Sequence, residues 1–384
     1  MDFTENEEHV ALRVAVAAIC DDFGAEYYQS HAESRTPTTE LWRALGDHGY
    51  IGINLPEQYG GGGAGLVELT MVCQESAARG TPLLLLLVSS AISGEVIATY
   101  GTQSQRERWL PKLASGESKI VFAITEPSAG SNTHRLSTFA HRVGDRDSWS
   151  ISGEKYYISG VDEADAILVV ARTSPPNEKA RLSLFIVDSD APGLSKIPLP
   201  VSVTLPERQF TLHFDNVKVS ADRLVGTEGD GFKQVFQGLN PERITGAGLC
   251  VGIGRYCLER AAQYANVRVV WDTPIGAHQG VSHALAKAKI EVELAALMTT
   301  KAAWLHDNHL PAGEAANMAK YAAAEAALSA IDAAIQTHGG NGLATEYGLV
   351  PYWGLARLLR IAPVNREMIL NFVAQHSLGL PRSY

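Results

Sequence analysis

The chain has 384 residues, 46% of them apolar and 19% charged, with a formal net charge of -10. That length supports two or three domains with substantial cores, and the composition is that of neither a disordered nor a membrane-embedded chain; the longest apolar run, Leu83 to Val88, is far too short to cross a bilayer. The acidic surplus argues against broad nucleic-acid binding, although local basic patches still suit phosphate groups.

The N-terminus, Met1-Asp2-Phe3-Thr4-Glu5-Asn6-Glu7-Glu8, lacks the basic start of a secretory signal and the Arg-rich pattern of a transit peptide, so a cytoplasmic protein is expected. Residues Asn6 to about Ala114 read as helical, with Val10, Val14, Ala17 and Ala18 recurring at helix spacing. Within them Gly60, Gly62 and Gly65 satisfy the G-x-G-x-x-G dinucleotide fingerprint. They sit between two helical patterns with no strand before them, so a flexible loop is the better reading.

From Lys119 the pattern turns to short β-rich runs: Ile120–Ile124, Ser148–Ser152, Ala166–Ala171, Leu182–Val187 and Phe210–Phe214. The first breaks abruptly into the loop Thr125-Glu-Pro-Ser-Ala-Gly-Ser-Asn132, where Gly130 and Ser131 offer bare amides and a hydroxyl to a polar ligand edge. Taken alone, composition favours an ordinary strand exit by roughly two to one, since Pro and Gly end many strands without binding anything. The polar connection Arg172 to Arg181, with Pro175-Pro176-Asn177, reads as an exposed hairpin tip.

After Gly226 four long Ala-rich helices are predicted, at Ile244–Val269, His278–Asn308, Gly313–Gln336 and Val364–His376. Gly339, Gly340 and Gly342 end the third. The fold class is therefore α+β, with an all-α domain over residues 1–118, a β domain over 119–226 and a four-helix bundle over 227–384. Cys20, Cys73, Cys250 and Cys257 show no CxxC spacing, and the last two fall on one helix face, as reduced core residues do. The twelve histidines show no HExxH or paired Cys/His spacing, so no metal is expected.

In this order the motifs resemble those of the acyl-CoA dehydrogenase family over nearly the whole chain. Phe122-Ala-Ile-Thr-Glu-Pro-Ser-Ala-Gly-Ser-Asn132 resembles its flavin-facing signature, with Asn132 where Asp is usual, and Ile151-Ser-Gly-Glu-Lys-Tyr-Tyr-Ile-Ser-Gly160 resembles its second middle-domain motif. Arg268-Val-Val-Trp-Asp-Thr-Pro-Ile275 with His278-Gln279, and Gln336-Thr-His-Gly-Gly-Asn-Gly342 before Glu346-Tyr347, are similar to two further segments. Each match alone is weak; their joint order is specific.

The resemblance implies helices, then a β-barrel-like middle, then a four-helix bundle, and FAD as cofactor. It implies that Phe122, Ile124, Thr125 and Ser131 hold the isoalloxazine edge, and that Tyr157 and Ser159 cover its other side, Tyr157 standing where Trp is frequent. It further implies that the adenosine-diphosphate portion lies at a subunit interface against Arg268, Trp271, Gln279, Gln336, Gly339 and Gly340, which requires at least a dimer. Arg268 offers a forked donor set to a pyrophosphate, and is otherwise a solvated helix-end cation. Gly339 and Gly340 permit close backbone approach and also suit C-capping; both roles are compatible.

The family reaction removes a proton α to the thioester, so a carboxylate base is needed opposite the flavin. The segment where many members carry it reads Ile361-Ala-Pro-Val-Asn-Arg-Glu-Met-Ile-Leu370 here; counting from Arg357 puts Arg366 at the usual position, with Glu367 one residue later. A second location, used in isovaleryl-CoA and some long-chain relatives, is matched by Asn240-Pro241-Glu242-Arg243. There Asn240 and Pro241 suit a helix start, which makes Glu242 a first-turn acid, unless Pro241 lies in a helix begun near Gly231. Glu242 is favoured over Glu367 as base, with Arg243 supporting it.

The expected activity is FAD-dependent dehydrogenation of an acyl-CoA to a trans-2-enoyl-CoA in a homotetramer, with electrons passed to an electron-transferring flavoprotein. A flavin monooxygenase or nitroalkane-oxidase-like enzyme, or a base-lacking subunit of a mixed tetramer, are the alternatives. Leu83–Val88 and Ser89–Gly94 are expected to shape the acyl pocket.

Overall fold

The computed structural model describes residues 4–144, 148–175 and 177–382. Met1-Asp2-Phe3 of the acidic N-terminus, and Pro176 of the expected hairpin tip, lie outside the described residues.

The first region is helical: α1 (Glu7–Ser34), α2 (Thr39–Asp47), α3 (Leu66–Ala78), a π-helix over Leu86–Gly94 that runs into α4 (Glu95–Tyr100), and α5 (Gln103–Ala114). α1 starts where the Asn6 side chain accepts from the His9 amide, and is interrupted at Gly24, whose φ of 74° no other residue adopts at ease. The Gly60–Gly65 segment is not the flexible loop expected. Gly62 and Ala64 donate to the carbonyls of Gly52 and Ile53, and Gly63 donates to Leu55, so the loop is folded tightly onto the preceding turn.

The middle region is one sheet of eight strands: β1 (Ile120–Ala123), β2 (Phe139–Val143), β3 (Ser148–Ser159), β4 (Ala166–Arg172), β5 (Leu182–Asp188), β6 (Leu194–Pro198), β7 (Gln209–Ser220) and β8 (Leu224–Val225). Their order is β6-β7-β3-β2-β4-β5-β8, with β1 added parallel to β4. β2 runs antiparallel to β3 but meets β4 only at Phe139 opposite Arg172, so it bridges two lobes of the sheet. β1, β4 and β5 are apolar and buried nearly throughout, as strands covered on both faces must be.

The last region begins with α6 (Gly231–Val267), far longer than the predicted Ile244 start, with Pro241 in its interior. A short hairpin, β9 (Val269–Val270) and β10 (Thr273–Pro274), leads to α7 (Gln279–Asp307) and α8 (Gly313–His338). The predicted fourth helix, Val364–His376, is α10 (Arg366–Phe372) running into a π-helix over Val373–Ser377, and before it stands a helix that was not predicted, α9 (Val350–Ile361), separated from α10 by a turn containing Pro363. A Pro cannot donate to the helical ladder, and the residue before it is pushed out of helical geometry, so the helix stops there. All four cysteines are buried and free. No helix of the described residues is long and apolar enough to cross a membrane.

Candidate active site

The loop after β1 is held by a buried ion pair that sequence reading did not single out. The Glu126 carboxylate accepts from Lys155 Nζ at 2.9 Å, from the Ser137 amide and hydroxyl at 2.7 Å each, and from the Thr138 amide at 2.9 Å. Lys155, on β3, also donates to the Ile124 carbonyl at 3.0 Å, and the next amide, Tyr156, donates to the Thr125 carbonyl at 2.8 Å. Burial pushes the Glu126 pKa up, but the Lys155 ammonium and the Ser137 donors outweigh it and hold the carboxyl at about 2. Burial draws Lys155 down to about 8 against the attraction of Glu126, so both are charged at neutral pH.

Thr125 is thereby fixed from both sides while its hydroxyl keeps no hydrogen-bond partner among the described residues. Phe122 is buried on β1, with Ile124 and Thr125 half-buried beyond it. Gly130 is exposed, with open space where a Cβ would stand, and exposed Ser131 accepts from Asn365 Nδ2 at 2.8 Å. Opposite them β3 bulges between Lys155 and Ile158, and Tyr157 takes a φ of 58° with more than half its surface exposed. A bulky residue in that region is strained, and such strain gathers at functional sites. The Ser159 hydroxyl is already engaged, donating to Gln209 Oε1 at 3.0 Å.

A second cluster lies at one end of the helical bundle. Arg268 caps α6, exposed Trp271 turns the β9–β10 hairpin with a φ of 55°, and Gln279 opens α7. Gln336, Gly339 and Gly340 are exposed where α8 ends, and neither glycine has an atom within 4 Å of a notional Cβ. Tyr264, in the last turn of α6, joins the two groups by stacking on His338 at 4.3 Å and accepting from Asn341 Nδ2 at 3.1 Å. Among the described residues no hydrogen bond or ring contact connects this cluster to Thr125 or Tyr157.

Glu242 is not a first-turn acid, because α6 has already run from Gly231. It occupies the row Gly238, Glu242, Gly246 on one helix face. A Cβ on Gly238 would stand 2.8 Å from Ile92, and one on Gly246 would stand 3.4 Å from Leu87 and 3.7 Å from Leu359. The carboxylate thus emerges between two positions without side chains, against the π-helix that contains Leu87 and Ile92. It makes no hydrogen bond or ion pair among the described residues. Burial raises its pKa to about 7, opposed by the charges of Arg243 and Lys320. Arg243 is itself buried; its Nη1 donates to Asn240 Oδ1 at 2.7 Å, its Nε has no partner, and desolvation pulls its pKa down.

Glu367 is exposed in the first turn of α10, whose cap is Asn365 accepting from the Met368 amide at 2.9 Å. Arg366, which counting placed at the usual base position, turns to α8: its Nη1 lies 3.4 Å from Glu325 and its guanidinium sits over Tyr321.

Comparison with known proteins decides the family. Domain models described as the N-terminal, middle and C-terminal domains of acyl-CoA dehydrogenase match residues 6–117, 121–217 and 229–378. "Acyl-CoA dehydrogenase FadE12" of Mycobacterium tuberculosis (strain ATCC 25618 / H37Rv) is 54% identical over 385 residues, covering 100% of this chain and 99% of that protein. The chain belongs to the acyl-CoA dehydrogenase family. It is therefore an oxidoreductase of an FAD-dependent family. Among solved acyl-CoA dehydrogenases, the glutaryl-coenzyme A dehydrogenase–glutaryl-CoA complex superposes with a TM-score of 0.95 at 30% identity, covering 100% of this chain and 98% of the other. Butyryl-CoA dehydrogenase from Megasphaera elsdenii gives 0.93 at 26%, covering 98% and 100%.

Proposed function

We propose that this acyl-CoA dehydrogenase converts an acyl-CoA thioester to its trans-2-enoyl-CoA, with Glu242 as the base and an electron-transferring flavoprotein as the acceptor. The observation that carries this reading is the Glu242 carboxylate: partly buried, unengaged, flanked by Gly238 and Gly246, and with a pKa of about 7. A general base works best with a pKa near the working pH. Glu367, exposed in the first turn of α10, lacks that enclosure.

The residues present fit FAD. The free Thr125 hydroxyl and the open amide edge at Gly130 and Ser131 suit the polar rim of the ring system, with Phe122 and Ile124 beneath, and Tyr157 and Ser159 supply the facing wall. Arg268, Trp271, Gln279, Gln336, Gly339 and Gly340 suit a phosphate and adenosine end. Their separation from the first cluster within one chain supports the adenosine end being held across a subunit interface. When bound, FAD supplies the acceptor for the β-carbon hydride. Glu242 takes the α-proton onto a carboxylate oxygen. Arg243 places a positive charge beside it that favours the ionised form before the proton arrives. The buried wall formed by the π-helix excludes water from that transfer.

An exposed apolar row on α7, with Ile290, Leu294, Leu297 and Trp304, supports a homo-oligomer, in keeping with a homotetramer. Four free, buried cysteines accord with a reducing, cytoplasmic setting.

The test is anaerobic mixing of the purified flavoprotein with short, branched, long and steroid-like acyl-CoAs while its flavin absorbance is followed. Rapid bleaching by one class is expected and gives the substrate range. An intact flavoprotein that stays oxidised with every member contradicts the proposal.

A further inference from the structure

Lys320 lies in the middle of α8, in the Ala-rich stretch Asn317-Met-Ala-Lys-Tyr-Ala-Ala323. A lysine in such a stretch is ordinarily solvated. This one is 3% exposed; its ammonium donates to the Val364 carbonyl, and no ion pair holds it among the described residues. An enclosed cation without a fixed counter-ion is costly, and its surroundings decide what the charge does.

From α6 it is faced by Glu242, Arg243 and the Cys250 thiol, and from its own helix by Glu325. Glu325 is already committed, lying 2.6 Å from Arg360 Nε of α9 and 3.4 Å from Arg366 Nη1 of α10. Of the two carboxylates, that leaves Glu242 as the one with no fixed partner. The carbonyl that Lys320 holds belongs to the α9–α10 turn, and the next residue, Asn365, reaches Ser131 in the loop after β1. One side chain thus holds the turn before α10, reaches through it to the loop at the proposed flavin edge, and places its charge within electrostatic range of the candidate base.

We propose that Lys320 is a positioning residue for the dehydrogenation, its ammonium anchoring the Val364–Asn365 turn and supplying the positive field that keeps the Glu242 carboxylate available as a base. This rests on Glu242 being that base. Burial alone favours the protonated acid, and a nearby cation opposes it. Burial also brings Lys320 down to about 8, so the two groups lose their protons in adjoining pH ranges and the steps belong to the cluster.

The experiment compares the flavin-loaded parent with Lys320→Met, Lys320→Gln and Lys320→Arg, reading kcat/KM against pH for whichever of isovaleryl-CoA, butyryl-CoA and palmitoyl-CoA bleaches the parent fastest. In the two neutral variants the acid limb is expected to move up by about one pH unit, so that kcat/KM at pH 7 falls about fivefold and recovers in alkali. The Arg variant keeps the limb of the parent. A neutral variant with full flavin and an unmoved limb overturns the proposal. Loss of fold or flavin in both neutral variants also overturns it, by making Lys320 structural only. Glu242→Gln, measured alongside, separates the two claims. Parent-rate turnover there sinks the base assignment itself, whereas a dead Glu242→Gln with an unmoved limb in the Lys320 variants sinks only the role of Lys320.

Discussion

At the scale of single residues the protein holds two carboxylates that burial pushes the same way but whose partners leave them with opposite net shifts. Glu126 has a pKa near 2 because Lys155 and the Ser137 donors outweigh its desolvation. A depressed carboxyl contributes stability that is complete above the unfolded value and is lost as the pH falls toward the folded one. The pair is therefore expected to weaken between about pH 4.5 and pH 2, seen as a falling thermal midpoint over that window. Lys155→Met leaves the Glu126 charge buried and is expected to cost about 3–5 kcal/mol, measured by denaturant unfolding. It should also loosen the chain on either side of Thr125 and lower flavin content.

Glu242 behaves oppositely. Its raised pKa means that the folded state holds a proton the unfolded chain has released, so its contribution to stability declines as the pH rises from about 4.5 to about 7. Glu242→Gln is predicted to melt a few degrees higher than the parent at pH 8 while losing activity, a trade expected where a site is built against its own stability. Equal or lower melting temperature would show that the carboxylate is better solvated than its surroundings indicate.

Among elements, α6 carries the most consequence, since glycines bring it close to α3, to the π-helix and to α7. A Cβ on Gly252 would stand 2.3 Å from the Gln74 carbonyl oxygen and 2.5 Å from Ala77 Cβ, both on α3. Backbone cannot swing aside as a side chain does, so Gly252→Ala is expected to lose about 1–3 kcal/mol in denaturant unfolding. The sequence hid this helix's true start because Gly238 and Pro241 are breaker signals, and tertiary packing overrides such local cost. The same packing placed Glu242 mid-helix rather than in a first turn. Strands β2 and β6 escaped sequence reading because His141, Arg142 and Lys196 interrupt their apolar alternation, and their pairing, rather than burial on both faces, keeps them extended. The runs that became β1, β4 and β5 were legible because burial on both faces demands continuous apolar residues. In the site, the family motifs led to Glu242 and to the loop after β1. The partners that tune them, Lys155 and Lys320, were invisible because each meets its carboxylate across a long sequence separation, and a lone lysine carries no pattern.

At the scale of the whole molecule, the proposed homo-oligomer rests on the exposed faces of the helical bundle. Ile290, Leu294, Leu297 and Trp304 recur along one side of α7, each more than half exposed, and Trp271 is 87% exposed at the bundle end. A solvated row of this kind is the mark of an interface. Leu294→Glu is predicted to shift the protein to smaller species in light scattering. If the adenosine end of FAD is held across that assembly, the variant also loses flavin in proportion. A parent that is monomeric at micromolar concentration would contradict both parts.

In the proposed reaction Glu242 removes the α-proton. The most direct test is single-turnover flavin reduction under anaerobic conditions, comparing Glu242→Gln and Glu367→Gln, each with full flavin, against the parent and its best acyl-CoA. Glu242→Gln is expected to slow bleaching by about 100- to 10,000-fold, the usual contribution of a general base, while Glu367→Gln stays within about threefold of the parent. The reverse pattern, or parent-rate bleaching in Glu242→Gln, would contradict that assignment.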